Sequence, residues 1–210
     1  GTVPPLEVVK DVMRGGEAGF GYMFVAYNLP SDRRVHELKG SKRVFSRTMM
    51  EAKFSIIALP IAERILPPNI LEQCVFNNRL LFILGHELAH GLGPNMSKID
   101  DKEVPFEVAL KDVHSSLEEA KADMLGSRFL GYLHRRDILD DEAIMGILST
   151  EIVAYFQGWR HGFTEAHARG NLIEYNWLKA AGALRYSNVS KKYEIDPGRC
   201  LDAMSGLSTE

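Results

Sequence analysis

Only two cysteines, Cys74 and Cys200, occur among 210 residues, and they lie far apart. That excludes a disulfide framework and a cysteine zinc site, and it suits a reducing, cytoplasmic setting. No apolar stretch reaches transmembrane length, which speaks against a spanning helix. Charge of one sign is not in excess. The net charge is −3, so neither nucleic acid nor an anionic membrane is expected as a partner. The mild basic cluster of Lys39, Lys42, Arg43 and Arg47 reads as a solvated face. Internal repeats and low-complexity segments are absent. The start, Gly1-Thr2-Val3-Pro4-Pro5, has neither an initiator Met nor a signal-peptide pattern, the mark of a processed chain or a fragment. What remains is ordinary globular composition, 45% hydrophobic and 25% charged, enough for one domain with a sizeable core.

Against this plain background stands Gly85-His86-Glu87-Leu88-Ala89-His90-Gly91, a strict H-E-x-x-H. On a helix, residues four apart share a face, so His86 and His90 can reach one metal ion. Glu87 lies about 100° round from His86, beside the metal rather than on it, where a general base toward a metal-activated water must be. Leu80, Leu81, Ile83 and Leu84 lead into the helix, and Gly91, Gly93 and Pro94 give a stop signal. Alone, the motif is also compatible with a buried helix carrying two polar histidines.

A second motif narrows the choice. Catalytic zinc takes three protein ligands and keeps one position open. Leu117-Glu118-Glu119-Ala120-Lys121-Ala122-Asp123 contains Glu119 and Asp123 four apart on a helical run. Glu119 can complete a His/His/Glu site, and Asp123 can accept the outer N–H of a ligand histidine and fix its tautomer. The plainer reading is helix capping, with Ser115–Glu118 or Ser116–Glu119 as a capping box. If the first pairing forms, Glu119 stays free for metal. Glu118 and Lys121 can be solvated surface.

Along the chain, the pattern predicts a helix from Pro4 to about Met13, closed by Gly15-Gly16. Phe20 to Tyr27 reads as a strand ending at Asn28-Leu29-Pro30-Ser31, with its partners expected in missing sequence. Val44 to Leu66 reads as a helix kinked or broken at Pro60, and the metal helix spans roughly Asn77 to Gly91. A loop of about twenty residues, Leu92 to Lys111, follows and invites a functional role by its length. Helices are predicted at 116–132, 138–162 and 164–184, with a short one after Pro197. His36 and His134 sit among charges and read as surface. His114 precedes the Glu119 helix. A zinc hydrolase needs an extra donor for the oxyanion, and His161 and His167 are both candidates that spacing cannot separate.

With both metal motifs in place, the chain resembles the dipeptidyl peptidase III family of zinc peptidases, some bacterial and plant members of which are joined to a nudix hydrolase. His86 to His90 is similar to the family's zinc-helix motif, in a five-residue form where many members have six. Leu117 to Asp123 resembles its E-E-x-x-A-[ED] motif, which implies Glu119 as the third ligand. Glu165-Ala166-His167-Ala168-Arg169 resembles the segment bearing the family's transition-state histidine, which favours His167 over His161. Tyr27 to Ser31, with Lys39 to Val44, resembles the strand and loop that grip the substrate's N-terminal residues. There Asn28 matches the gripping asparagine, and Ser31 stands where a second asparagine is usual. The nudix box G-x5-E-x7-R-E-x2-E-E-x-G does not occur in the sequence.

The resemblance implies a mainly α fold: the helical zinc-binding lobe of a zincin-type metallopeptidase, with a minor strand component near residues 20–28. It implies one catalytic domain over 1–210, as a fragment of a larger bilobal protein that holds the missing second lobe. The expected activity is a zinc-dependent exopeptidase cleaving dipeptides from oligopeptide N-termini, with one Zn2+ on His86, His90 and Glu119. Glu87 would be the general base, His167 would steady the oxyanion, and Asp123 would stand behind a ligand histidine. The alternative is a catalytically silent peptidase-like zinc domain that binds a peptide or small metabolite. A purely structural metal site is disfavoured by Glu87, since a closed site needs no base.

Overall fold

A computed structural model describes residues 5–13, 26–29, 42–93 and 96–207. The fold is mainly helical with small sheets, and the chain divides into two compact units, one ending at Ile57 and one beginning at Ala58.

The first unit holds a three-stranded sheet of β1 (Leu6–Val9), β2 (Ala26–Leu29) and β3 (Lys42–Ser46), in the order β1-β3-β2. β1 runs parallel to β3 with Leu6 opposite Arg43, and β2 runs antiparallel to it with Asn28 opposite Arg43. This corrects three sequence expectations. The segment predicted as a helix from Pro4 is β1. A run so short is marginal as a helix on its own, and Val8-Val9 suit a strand once β3 supplies a distant partner. The strand predicted from Phe20 appears at its end as β2, while residues 20–25 lie outside the described residues. It has a partner within this chain, β3. β3 also takes the start of the predicted Val44–Leu66 helix. Ser46 ends the strand and caps α1 (Arg47–Lys53), its Oγ accepting from Met49 N at 3.2 Å. Beyond α1 comes a π turn, Phe54–Ala58, and then α2 (Leu59–Ile65). Pro60 explains the turn: it has no N–H to give back along the helix, and its ring pushes away the carbonyl four residues earlier.

The second unit begins with α3 (Pro68–Leu71) and α4 (Phe76–Ala89). The expected loop at 92–111 instead contains a hairpin, β4 (Met96–Ile99) and β5 (Lys102–Pro105), followed by α5 (Phe106–Leu110). Asp100 and Asp101 join the strands with φ of 48° and 62°, the left-handed pair a two-residue hairpin turn requires and short polar side chains tolerate. The strands are mostly exposed, so no apolar alternation announced them. Then come α6 (His114–Arg135), α7 (Asp141–Trp159) and α8 (Ala166–Ala180), where helices were predicted. A second hairpin, β6 (Leu184–Ser187) and β7 (Lys192–Ile195), precedes α9 (Pro197–Leu207), the helix expected after Pro197. Neither capping box forms. α6 starts at His114, so Ser115 and Ser116 lie inside it. Among the described residues no helix is long and apolar enough to cross a membrane.

The core of this unit sits where α4, α6 and α7 meet. Phe82, Leu130 and Ile147 are buried against one another, with Leu81, Ile83, Leu133 and Leu139 around them. Burial of side chains this size stabilises by about 1.5–3 kcal/mol each. On α4 the buried face is Phe82, Gly85, His86 and Ala89, at helical spacing, so the same periodicity that seats Phe82 carries His86 into the interior.

Candidate metal centre

His86 stands on the last turn of α4, His90 caps that helix, and Glu119 faces them from α6. One donor atom from each lies within 4.8 Å of the other two, an arrangement that could hold a metal ion. Their separations are 3.0 Å between His86 Nε2 and His90 Nε2, 3.4 Å from His86 Nε2 to Glu119 Oε2, and 3.8 Å from His90 Nε2 to Glu119 Oε2. His86 is buried, while His90 and Glu119 are half-buried.

The outer nitrogens are taken by carboxylates. His86 Nδ1 lies 2.5 Å from Asp123 Oδ1, and His90 Nδ1 lies 3.0 Å from Glu118 Oε1. Each Nδ1–H donates to its carboxylate, so both Nε2 lone pairs turn inward. They meet Glu119 Oε2, a buried oxygen without a hydrogen-bond partner. Three electron-rich atoms aimed at one point repel one another unless a cation lies among them. Donors around a tetrahedral cation with ~2.1 Å bonds stand roughly 3.4 Å apart, and the three separations straddle that value. The residues therefore fit a divalent metal. Burial pulls the His86 pKa down, but its hydrogen bond to Asp123 and the charges of Asp123 and Glu119 outweigh it and raise it to about 10, the response of a site that draws in positive charge, whether a proton or a metal ion. Burial pushes Glu119 up, yet His86, His167 and His90 hold it below the usual carboxylate range.

Sequence reasoning named Asp123 but missed the other residues behind these ligands. Glu118 is the His90 partner rather than free surface; it pairs with Lys121 at 2.8 Å, and Lys121 reaches the Leu92 carbonyl at 3.1 Å beyond the metal helix. Deeper still, Glu151 on α7 and Glu174 on α8 are both 0% exposed. Glu151 accepts from Tyr155 Oη at 2.9 Å and Ser127 Oγ at 3.3 Å. A glutamate inside the apolar run Ile147, Leu148, Ile152 and Val153 was the available signal. Burial first, then the charge of Asp123, pushes Glu151 up to about 8, and the same causes push Glu174 up. The folded chain thus keeps protons that the unfolded chain releases, so stability falls as pH rises from about 5 to 8. In Glu151→Gln the urea midpoint should change less over that range than in the native chain. Parallel pH profiles would contradict the assignment.

The other candidate residues fall as follows. Glu87 is half-buried on α4, one step round from His86. His167 lies in the first turn of α8, and its Nε2 lies 3.2 Å from Glu119 Oε2 while its ring stacks on His86 at a centroid distance of 6.2 Å. Two contacts seat that helix start. Trp159 Nε1 donates to the Ala168 carbonyl at 3.1 Å, and Gly170 lets α8 approach α6, where a Cβ would lie 3.1 Å from Ser116 O. His167 remains 69% exposed, open to a ligand. His161 is exposed in the turn after α7. Asn28 lies in β2 of the first unit, and Ser31 and His36 lie outside the described residues.

Fold and site together define a mainly helical protein with a His/His/Glu cluster that could hold a metal ion. Solved structures of dipeptidyl peptidase III share the fold. The structure from Caldithrix abyssi matches with a TM-score of 0.83 at 32% identity, over 90% of this chain and 36% of that one. The structure from Corallococcus sp. strain EGB matches with a TM-score of 0.79 at 34% identity, over 90% of this chain and 35% of that one. Among curated proteins, Nudix hydrolase 3 of Arabidopsis thaliana is 30% identical over 210 residues, which is 100% of this chain and 27% of that protein. The chain thus spans about a third of the solved structures and about a quarter of the curated relative. No family model matches.

Proposed function

We propose that the chain is the zinc-binding lobe of a metallopeptidase of the dipeptidyl peptidase III type, part of a larger bilobal protein, which releases dipeptides from the N-termini of oligopeptides. The observation that carries the reading is the convergence of two Nε2 atoms and the buried Glu119 Oε2, with Glu87 the residue next to His86 on α4. His86, His90 and Glu119 would hold one zinc ion. Zinc so held supplies a Lewis acid for a peptide carbonyl and lowers the pKa of a water to near neutrality. Glu87 takes the proton from the attacking water and passes it to the departing amine. His167 donates a hydrogen bond to the carbonyl oxygen as negative charge develops on it. Asp123 and Glu118 keep the Nδ1 protons in place, so that both imidazoles present lone pairs inward. Asn28 and Ser31 grip the substrate's N-terminal residues. Two buried, unpaired cysteines, Cys74 and Cys200, suit a reducing, cytoplasmic location. A nudix activity is not part of this reading, because the nudix box does not occur in the chain.

His167→Ala tests the oxyanion role. In the intact protein it should lower kcat by about 10²–10³-fold while raising KM less. A native kcat would remove His167 from the mechanism and turn attention to His161. Zinc bound without any turnover by the native protein would favour the catalytically silent, peptide-binding alternative.

A further inference from the structure

We propose that Gly126 is a positioning residue of the metal centre, setting the spacing between α4 and α6 on which the ligand geometry depends. The inference rests on the zinc reading above. Gly126 lies three residues after Asp123 and seven after Glu119, so all three share one face of α6. That face meets α4 at Gly85, the residue immediately before His86. A Cβ on Gly126 would stand 2.8 Å from Gly85 C, 2.8 Å from His86 N and 3.1 Å from Gly85 O. All three are backbone atoms, and one belongs to a ligand residue, so no rotamer change relieves the overlap. The crossing is asymmetric. A Cβ on Gly85 would meet its nearest atom, Gly126 O, at 3.4 Å, an ordinary contact.

Relief of the Gly126 overlap requires α6 to move from α4 by on the order of 0.5–1 Å. Asp123 is only ~4.5 Å along the helix, so it moves with the crossing. A metal site tolerates displacements of about 0.5 Å before its geometry fails. The 2.5 Å contact of Asp123 with His86 and the approach of Glu119 are therefore the features that a side chain at 126 would disturb. Glycine at 126 serves the ligands as well as the packing.

The test is zinc affinity, measured by competition with a chelating indicator on the intact protein, below the unfolding temperature of each variant. Gly126→Ala should stay folded and bind zinc about 10–100-fold more weakly, the usual effect of losing an outer partner of a ligand histidine. Gly146→Ala is the packing control. Its Cβ would lie 2.4 Å from Gln73 O and 1.9 Å from Asn78 Nδ2, at the other end of α4, so it should lower Tm and leave zinc affinity unchanged. Adding Asp123→Glu to Gly126→Ala lengthens the carboxylate arm and should recover part of the loss, while Asp123→Glu alone should not tighten binding. Native zinc affinity in Gly126→Ala, or an equal loss in Gly146→Ala, overturns the proposal. If Gly126→Ala does not fold, Gly85→Val intrudes at the same crossing, because its methyls reach beyond a Cβ that already stands 3.4 Å from Gly126 O. A measurable loss of affinity there supports the proposal, and native affinity overturns it. Failure of the native protein to bind zinc overturns the metal reading itself, and is distinguishable from both.

Discussion

Glu87→Gln should keep its zinc and lose ~10²–10⁴-fold in turnover, the usual worth of a general base. The substitution keeps the size and polarity of the side chain and removes only its ability to take a proton. Glu87 follows His86 on α4, so the helix turns it about 100° away from the ligand direction while leaving it beside the metal position. His86, by contrast, is buried with Phe82 and Ala89 and is fixed by Asp123. The expected signature is therefore a separation of two measurements. Zinc content after dialysis stays at the native value, and kcat falls. A variant that loses zinc along with activity would make Glu87 a supporting residue of the site. A variant with native kcat would require another base.

The second large effect is expected at Glu119. In Glu119→Ala the only carboxylate oxygen of the cluster disappears, and two imidazoles alone make a poor zinc site. Zinc content after dialysis, measured by atomic emission, should fall from about one per chain toward zero. Glu118→Ala, one residue away, should weaken binding by only about 10–100-fold, because Glu118 touches the outer nitrogen of His90 and not the ligand side. The contrast between neighbouring glutamates decides which is the ligand. Equal losses, or the reverse order, would reassign it.

How far the sequence could be read depended on the range of the interactions involved. The helices carrying the chemistry were legible because their apolar spacing is local. Phe82, His86 and Ala89 share a face of α4, and Glu119 and Asp123 share a face of α6, by helical period alone. β1 was not legible, since it is a strand only through its pairing with β3, some thirty-seven residues on. The β4–β5 hairpin was missed for a different reason. Its strands are short and exposed, and its turn uses Asp100-Asp101 rather than a glycine pair. Around the metal cluster, H-E-x-x-H and E-x-x-x-D mark their own residues, whereas Glu118 looked like a cap until α6 proved to begin earlier, at His114. Gly126 gave no signal at all. A glycine inside a helix is unremarkable until the partner helix it must admit is known. Glu151 was visible as a charge in an apolar helix, while Glu174 sits in a mixed one, and the burial of both became clear only when α6, α7 and α8 were brought together.

The central claim is that this cluster holds the metal of a dipeptide-releasing peptidase. It is tested most directly by incubating the intact protein with an oligopeptide and identifying the products by mass spectrometry, before chelation, after it, and after zinc is restored. The account requires release of the N-terminal dipeptide, its loss on chelation and its return with zinc. Zinc-loaded protein that releases no dipeptide, or release that persists undiminished after the metal has been removed, would contradict it.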